Sequence, residues 1–103
     1  VYVAGQIGLD PERGALVGAD LESQAQQMLR NTEAVLAAAG CAVNDVVKTT
    51  VFFADLDDFA AFNTIYGAWV ADPPPARSGV QVARLPLDAK IELECVARRP
   101  SGA

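Results

Sequence analysis

A chain of 103 residues has room for one hydrophobic core, and with 51% hydrophobic residues and a mean hydropathy of +0.20 it is a packed globule rather than a disordered segment. Eight basic residues against 13 acidic ones give a net charge of −5, with no basic run, which argues against a nucleic-acid partner. No stretch reaches the ~18 continuous apolar residues of a membrane span, and the absence of histidine, with Cys41 and Cys95 in no metal-type spacing, excludes the usual zinc sites and any Ser-His or Cys-His dyad.

Taken from the amino end, Val1 to Leu9 reads as a strand interrupted by Gly5 and Gly8. Asp10-Pro11-Glu12-Arg13-Gly14 supplies a turn, and Ala15-Leu16-Val17 returns as the second arm of a hairpin. Gly5 fits either a bulge or a place where backbone amides approach a ligand closely. Asp20 is positioned to cap a helix whose apolar residues Leu21, Ala25, Met28, Leu29, Thr32, Val35, Leu36 and Ala39 share one face, with Gly40 ending it. Val46 to Ala54, dense in β-branched and aromatic residues, predicts a central strand. Asp57 or Asp58 is expected to cap a second helix through Phe59, Phe62, Ile65, Tyr66 and Trp69. Asn63 sits on that helix, off the stripe formed by Phe59, Phe62 and Tyr66. It is either solvated or hydrogen-bonded to a ligand-facing loop.

Asp72 and three prolines then form a rigid connector, because proline cannot continue the helix. Two strands close the chain, Arg77 to Leu85 and Lys90 to Arg98, and are expected to form a hairpin about Pro86 to Ala89 with Ala83 facing Glu92. The order predicts an α+β domain, residues 1–103, with both helices on one face of a single mixed sheet. No third helix exists for the other face, and the apolar fraction is high for so small a domain, so a partner subunit is expected to cover it.

The chemistry concentrates near the carboxyl end. Pro73-Pro74-Pro75-Ala76-Arg77-Ser78 delivers one arginine to a rigid loop–strand junction, well placed to grip a planar carboxylate through two parallel hydrogen bonds. In Ile91-Glu92-Leu93-Glu94 two carboxylates alternate with apolar residues, and a strand carboxylate can orient or deprotonate water. Glu94 is expected to be structural. These residues suggest a site for small anionic metabolites.

The chain resembles the RidA (YjgF) family of enamine and imine deaminases. The resemblance runs through Ala4-Gly5-Gln6-Ile7, Asn31-Thr32-Glu33-Ala34-Val35-Leu36, Asp45 through Phe52, Asp58-Phe59-Ala60 with Asn63 and Tyr66, Pro75-Ala76-Arg77-Ser78, Val82-Ala83-Arg84-Leu85-Pro86 and Ile91-Glu92-Leu93-Glu94. It implies a chorismate-mutase-like subunit in a homotrimer with three ligand clefts between neighbours. It also implies hydrolysis of reactive 2-imino acids, such as 2-iminobutanoate and 2-iminopropanoate, to 2-keto acids and ammonia, without a cofactor. Cys41 and Cys95, far apart and in no disulfide framework, make a reducing cytoplasm the expected location. The family's carboxylate-binding arginine falls on Arg77, its water-associated glutamate on Glu92, and its asparagine and backbone contacts on Asn63 and Gly5. Two departures stand out. Gly79 stands where the family often has cysteine or threonine, which is expected to enlarge the pocket or alter its substrate preference. The family's leading strand, with a tyrosine that reaches the cleft in many members, is expected to be lacking from residues 1–103.

Imines hydrolyse readily, so positioning a substrate and one water suffices, and neither histidine nor a metal is required. Two rival functions remain open at this point: a non-catalytic carboxylate sensor using the same cleft, and an RNA-directed activity, against which the acidic composition counts. If the last two strands pair as a hairpin, Arg77 lies six residues beyond Ala83 and thus roughly 20 Å from Glu92. The two could then meet only across a subunit boundary.

Overall fold

The computed structural model describes residues 1–100. Four strands, β1 (Tyr2–Gln6), β2 (Val46–Phe53), β3 (Ala76–Gln81) and β4 (Ile91–Ala97), form one mixed sheet in the order β1-β4-β2-β3, with α1 (Leu21–Ala38) and α2 (Phe59–Trp69) packed on one face. The expected α+β class and its two helices are therefore present.

Each helix forms where its caps and apolar spacing place it. Asp20 accepts the Ser23 N–H at 2.9 Å to start α1, and Gly40, at φ 79°, turns the chain out of it, a conformation that costs glycine little. Leu21, Ala25, Met28, Leu29, Thr32 and Leu36 are buried as expected, whereas Val35 is 40% exposed and lies off the buried stripe, and Ala39 falls at the C-cap beyond the helix. The second helix starts only partly as expected. Asp58 holds the N-cap position of α2, as expected, but its side chain makes no capping hydrogen bond; Asp55 instead accepts the Asp57 N–H at 2.9 Å and caps the 3-10 turn (Leu56–Asp58) that leads into α2. Phe62 and Tyr66 bury their rings, and the Trp69 indole N–H donates to Glu33 Oε1 at 2.6 Å, tying α2 to α1.

The sheet departs from expectation at both hairpins. The amino-terminal one shrinks to a single antiparallel bridge between Leu9 and Leu16. Its turn is instead held by Asp10, whose Oδ1 accepts the N–H groups of Glu12 and Arg13. The carboxyl-terminal hairpin does not form at all. β2 lies between the last two strands, parallel to β3 and antiparallel to β4. Sequence neighbours are most often sheet neighbours, but here α2 carries the chain from β2 directly to a parallel β3, and β4 returns to the opposite edge of β2. The connection between β3 and β4 passes through Leu87 and Asp88 at φ 57° and 55°.

Alternation along the strands defines two different faces. Val51, Phe53, Ile91, Leu93, Cys95 and Val3 point to the helices and form the core. The opposite face carries Lys48, Thr50, Phe52, Ser78, Val80, Glu92, Glu94 and Val96, and no element of the described residues covers it. Val80 is 44% and Tyr2 87% exposed, so this face is partly apolar and unburied in one chain. No helix is long and apolar enough to cross a membrane among the described residues.

Buried polar groups in the core are paired. The Gln24 side chain donates to Gly18 O at 2.9 Å and accepts the Lys90 N–H at 2.8 Å, stitching α1 to the loop before it and to the entrance of β4. Gln24→Leu would fill the same volume while leaving the Lys90 amide and the Gly18 carbonyl without partners. A buried unsatisfied group costs about 1–3 kcal/mol, so the variant is expected to lose on the order of 2–4 kcal/mol in a urea titration with an unchanged m-value.

Candidate functional site

Arg77 is the second residue of β3, paired with Thr49 across the parallel ladder, and its side chain lies on the helix-facing side of the sheet. There the guanidinium meets one face of α2. Its Nη1 donates to Asn63 Oδ1 at 2.7 Å, and its Cζ sits 5.1 Å from the Phe59 ring centroid and 4.7 Å from that of Tyr66. Phe59, Asn63 and Tyr66 are spaced i, i+4, i+7, so they stack along one helical stripe. Phe62, by contrast, turns into the core, which leaves Asn63 between Phe59 and Tyr66 and facing Arg77 rather than a loop. Asn63, Tyr66, Val70, Pro74, Pro75 and Arg77 line a shallow hollow at this edge of the molecule. Nε and Nη2 of Arg77 make no hydrogen bond to the described residues, so an in-plane pair of donors is left for a carboxylate.

Gly79 follows Arg77 on the same face. A Cβ there would stand 3.2 Å from Phe59 Cε2 and 3.4 Å from Phe53 Cε2. Aromatic ring edges therefore close in on the space that a side chain at 79 would use. Gly79 contributes by letting Phe59 approach β3, where that ring also flanks the guanidinium.

Glu92 occupies a different environment. It sits on β4 opposite Phe52, on the uncovered face, and its carboxyl rests against Gly5 of β1. A Cβ on Gly5 would lie 2.7 Å from Glu92 Cδ, so only glycine leaves room for the carboxyl in this position. Burial pushes the Glu92 pKa above its ordinary 4.5, and the like charge of Glu94, two residues on along the same face, raises it further.

The structure thus joins the sequence-identified residues into two groups: Arg77 with Asn63 and Gly79, and Glu92 with Gly5. It does not bring the two groups together within one chain. Arg77 is level with Cys95, three residues from Glu92 along the strands, and one strand intervenes, which places the two Cα atoms about 14 Å apart. The side chains also leave opposite faces of the sheet. The two groups are apart, as expected, but by about 14 Å rather than roughly 20 Å, and the cause is the intervening β2 and the face alternation, not a hairpin. Sequence reading missed Phe59, Tyr66 and Thr49 as parts of the Arg77 site, although the i, i+4, i+7 spacing on α2 was the signal.

The chain matches the family described as Endoribonuclease L-PSP over residues 1–99. It belongs to that family. It is 51% identical over 102 residues to the 2-iminobutanoate/2-iminopropanoate deaminase of Salmonella typhimurium, covering 96% of this chain and 79% of that protein. It is 46% identical to the human protein of the same name, covering 94% of this chain and 71% of that protein. Among solved structures, a putative endoribonuclease from Thermotoga maritima superposes with a TM-score of 0.92 at 42% identity, over 97% of this chain and 79% of that one. Escherichia coli TdcF with bound serine superposes with a TM-score of 0.89 at 42% identity, over 96% and 80%.

The contact between Gly5 and Glu92 is directly testable. Gly5→Ala displaces only the end of a flexible side chain, so the fold should persist while the carboxyl swings into water. The carboxyl resonance of Glu92 in a carbon-13 titration is then expected to move down towards 4.5; a Glu92 pKa as raised as in the wild-type chain would show that the carboxyl does not depend on this contact.

Proposed function

We propose that this chain hydrolyses reactive 2-imino and enamine acids, such as 2-iminobutanoate and 2-iminopropanoate, to 2-keto acids and ammonia. The observation that carries the reading is the Arg77 guanidinium, held by Asn63 and two aromatic rings with in-plane donors left over, in a chain about half identical to proteins named for that reaction. TdcF, a structural neighbour, was found with serine, a small amino carboxylate, bound. The substrate carboxylate pairs with Arg77. Water adds to the imine carbon as a proton passes to the nitrogen, and the tetrahedral amino alcohol collapses with loss of ammonia, leaving a carbonyl. Glu92 orients the water, takes its proton and returns one to the departing nitrogen, a role suited to a carboxyl whose pKa is raised by partial burial and the nearby charge of Glu94. Backbone at Gly5 lines the wall beneath Glu92, and Gly79 shapes the floor beside Arg77.

Because the two groups leave opposite faces of one sheet, the cleft is formed between neighbouring chains, Arg77 from one and Glu92 from the next. A closed homotrimer supplies three such clefts and covers the bare sheet face at the same time. No metal or cofactor takes part, and the partners are small imino and keto acids. Nucleic acid and membrane are not partners: the net charge of −5 leaves no phosphate-tracking face, whatever the family's descriptive name. A cytoplasmic location accords with two cysteines that are both free and buried.

The test of both chemistry and assembly uses ammonia release from imines generated by an amino-acid dehydratase or oxidase. Arg77→Ala and Glu92→Gln should each lose on the order of 10²-fold or more in kcat/KM, and Arg77→Lys should not restore the fork. Mixed after verified subunit exchange, the two inactive variants should regain part of the activity from clefts that receive both intact residues. Wild-type kinetics in Arg77→Ala would leave only a non-catalytic role, and no regain on mixing would place both residues in one chain's share of the cleft.

The pH dependence follows from Glu92. As a base it must be ionised, so activity should fall as pH drops through its raised pKa, giving an acid limb above 4.5. Glu94→Gln removes the like charge that raises it, and is expected to move that limb to lower pH with little loss at the plateau. An unmoved limb would show that the limb belongs to another group.

A further inference from the structure

Beyond the anchor itself, the α2 face around Arg77 has a construction that the hydrolysis reading does not require. Arg77 Cζ lies over both rings, 5.1 Å from the Phe59 centroid and 4.7 Å from that of Tyr66, two residues seven positions apart on α2, so both rings flank the guanidinium. Asn63, on the stripe between them, holds Nη1. Tyr66 is itself fixed: its hydroxyl and Thr49 Oγ1 are 2.7 Å apart, fully buried, and Thr49 is the register partner of Arg77 on the adjoining strand. Phe59 is seated by the absence of a side chain at Gly79 and by the Phe53 ring, 5.7 Å away centroid to centroid.

We propose that Phe59 and Tyr66, with Thr49 fixing Tyr66, are positioning residues that set the plane of the Arg77 guanidinium and thereby determine how tightly a planar carboxylate is bound. A guanidinium flanked by aromatic faces keeps its in-plane N–H groups free while its faces are shielded from water. That leaves one edge as the approach for a ligand, and carboxylate geometry matches that edge. The slot discriminates by charge and planarity: a carboxylate satisfies it, whereas a neutral amide or alcohol in the same position does not. The proposal rests on Arg77 as the carboxylate anchor, and its test separates the two.

Steady-state kinetics on 2-iminobutanoate would compare Phe59→Leu, Tyr66→Leu, Tyr66→Phe and Thr49→Val, with Arg77→Ala in parallel. Loss of one ring from the slot should raise KM about 5–20-fold while kcat stays within about threefold. Tyr66→Phe keeps the ring and should recover most of the loss seen in Tyr66→Leu. Thr49→Val removes the hydroxyl partner and should raise KM by roughly three- to tenfold. A second readout is the Nε–H resonance of Arg77, recognised by its loss in Arg77→Lys. It should be a resolved signal in the wild-type chain and in Tyr66→Phe, and move to the solvent-exposed arginine position in Phe59→Leu. This measurement does not depend on turnover, and Phe59 is only half-buried, so the variant is expected to fold. If Arg77→Ala leaves KM and kcat unchanged, the anchor reading fails and the slot with it. If Arg77→Ala loses activity while the ring variants keep KM within twofold, or lose kcat and KM alike with an unmoved Arg77 signal, the positioning proposal alone is overturned.

Discussion

The parallel pairing of β3 with β2 is the constraint on which both halves of the proposed site depend. A parallel pair needs a crossover element, and here that element is α2. The helix that spans the crossover must lie over the strands it joins, so its inner stripe faces the amino end of β3, where Arg77 sits opposite Thr49. The same pairing occupies one edge of β2 and leaves only the other for β4. Glu92 is thereby carried a full strand away from Arg77 and, by its place in the alternation, onto the other face. An antiparallel β3–β4 hairpin would have put Glu92 beside the strand that bears Arg77 and left α2 no such slot to form.

Much of this was legible in the residues. The caps and stripe of α1, the β-branched run of β2, the stop imposed by the proline connector and the chemical candidates Arg77, Glu92, Asn63 and Gly5 all follow from local pattern. What the pattern could not convey was pairing. Two strands separated by a proline-containing turn look like a hairpin, because the strand that separates them in space lies far away in sequence. The Arg77 slot was partly hidden for a related reason. Reading Phe59, Phe62 and Tyr66 as one stripe left Asn63 outside it, whereas the helix turns Phe62 into the core and gives Phe59, Asn63 and Tyr66 to Arg77.

Gly5 and Gly79 serve the two groups in parallel ways. At each, the missing side chain is occupied by another residue's functional end: the Glu92 carboxyl at Gly5, the Phe59 ring at Gly79. Neither has a positive φ, so backbone freedom is not what glycine supplies at these positions. It supplies room. At position 79 the edges of Phe59 and Phe53 stand 3.2 Å and 3.4 Å from where a Cβ would lie, which makes the wall beside Arg77 aromatic and apolar.

That division explains how a chain without histidine can support hydrolysis of an imine. The electrophile is already reactive, so the demands on the protein reduce to holding a carboxylate in a fixed plane and setting one water with a nearby proton acceptor. The first demand calls for a rigid cation, and Arg77, held by Asn63, Phe59 and Tyr66 of α2, has the construction to meet it. The second calls for a carboxyl whose proton affinity is raised but which can still ionise, and partial burial against Gly5 beside the charge of Glu94 produces that without a metal or an imidazole. On the proposed reading the two demands fall on opposite faces of one sheet, so the chemistry would be completed only where two chains meet. Under that reading the uncovered face, which carries Glu92, would serve catalysis and assembly together, and a substitution that opens the interface should remove activity even where Arg77 and Glu92 are both intact.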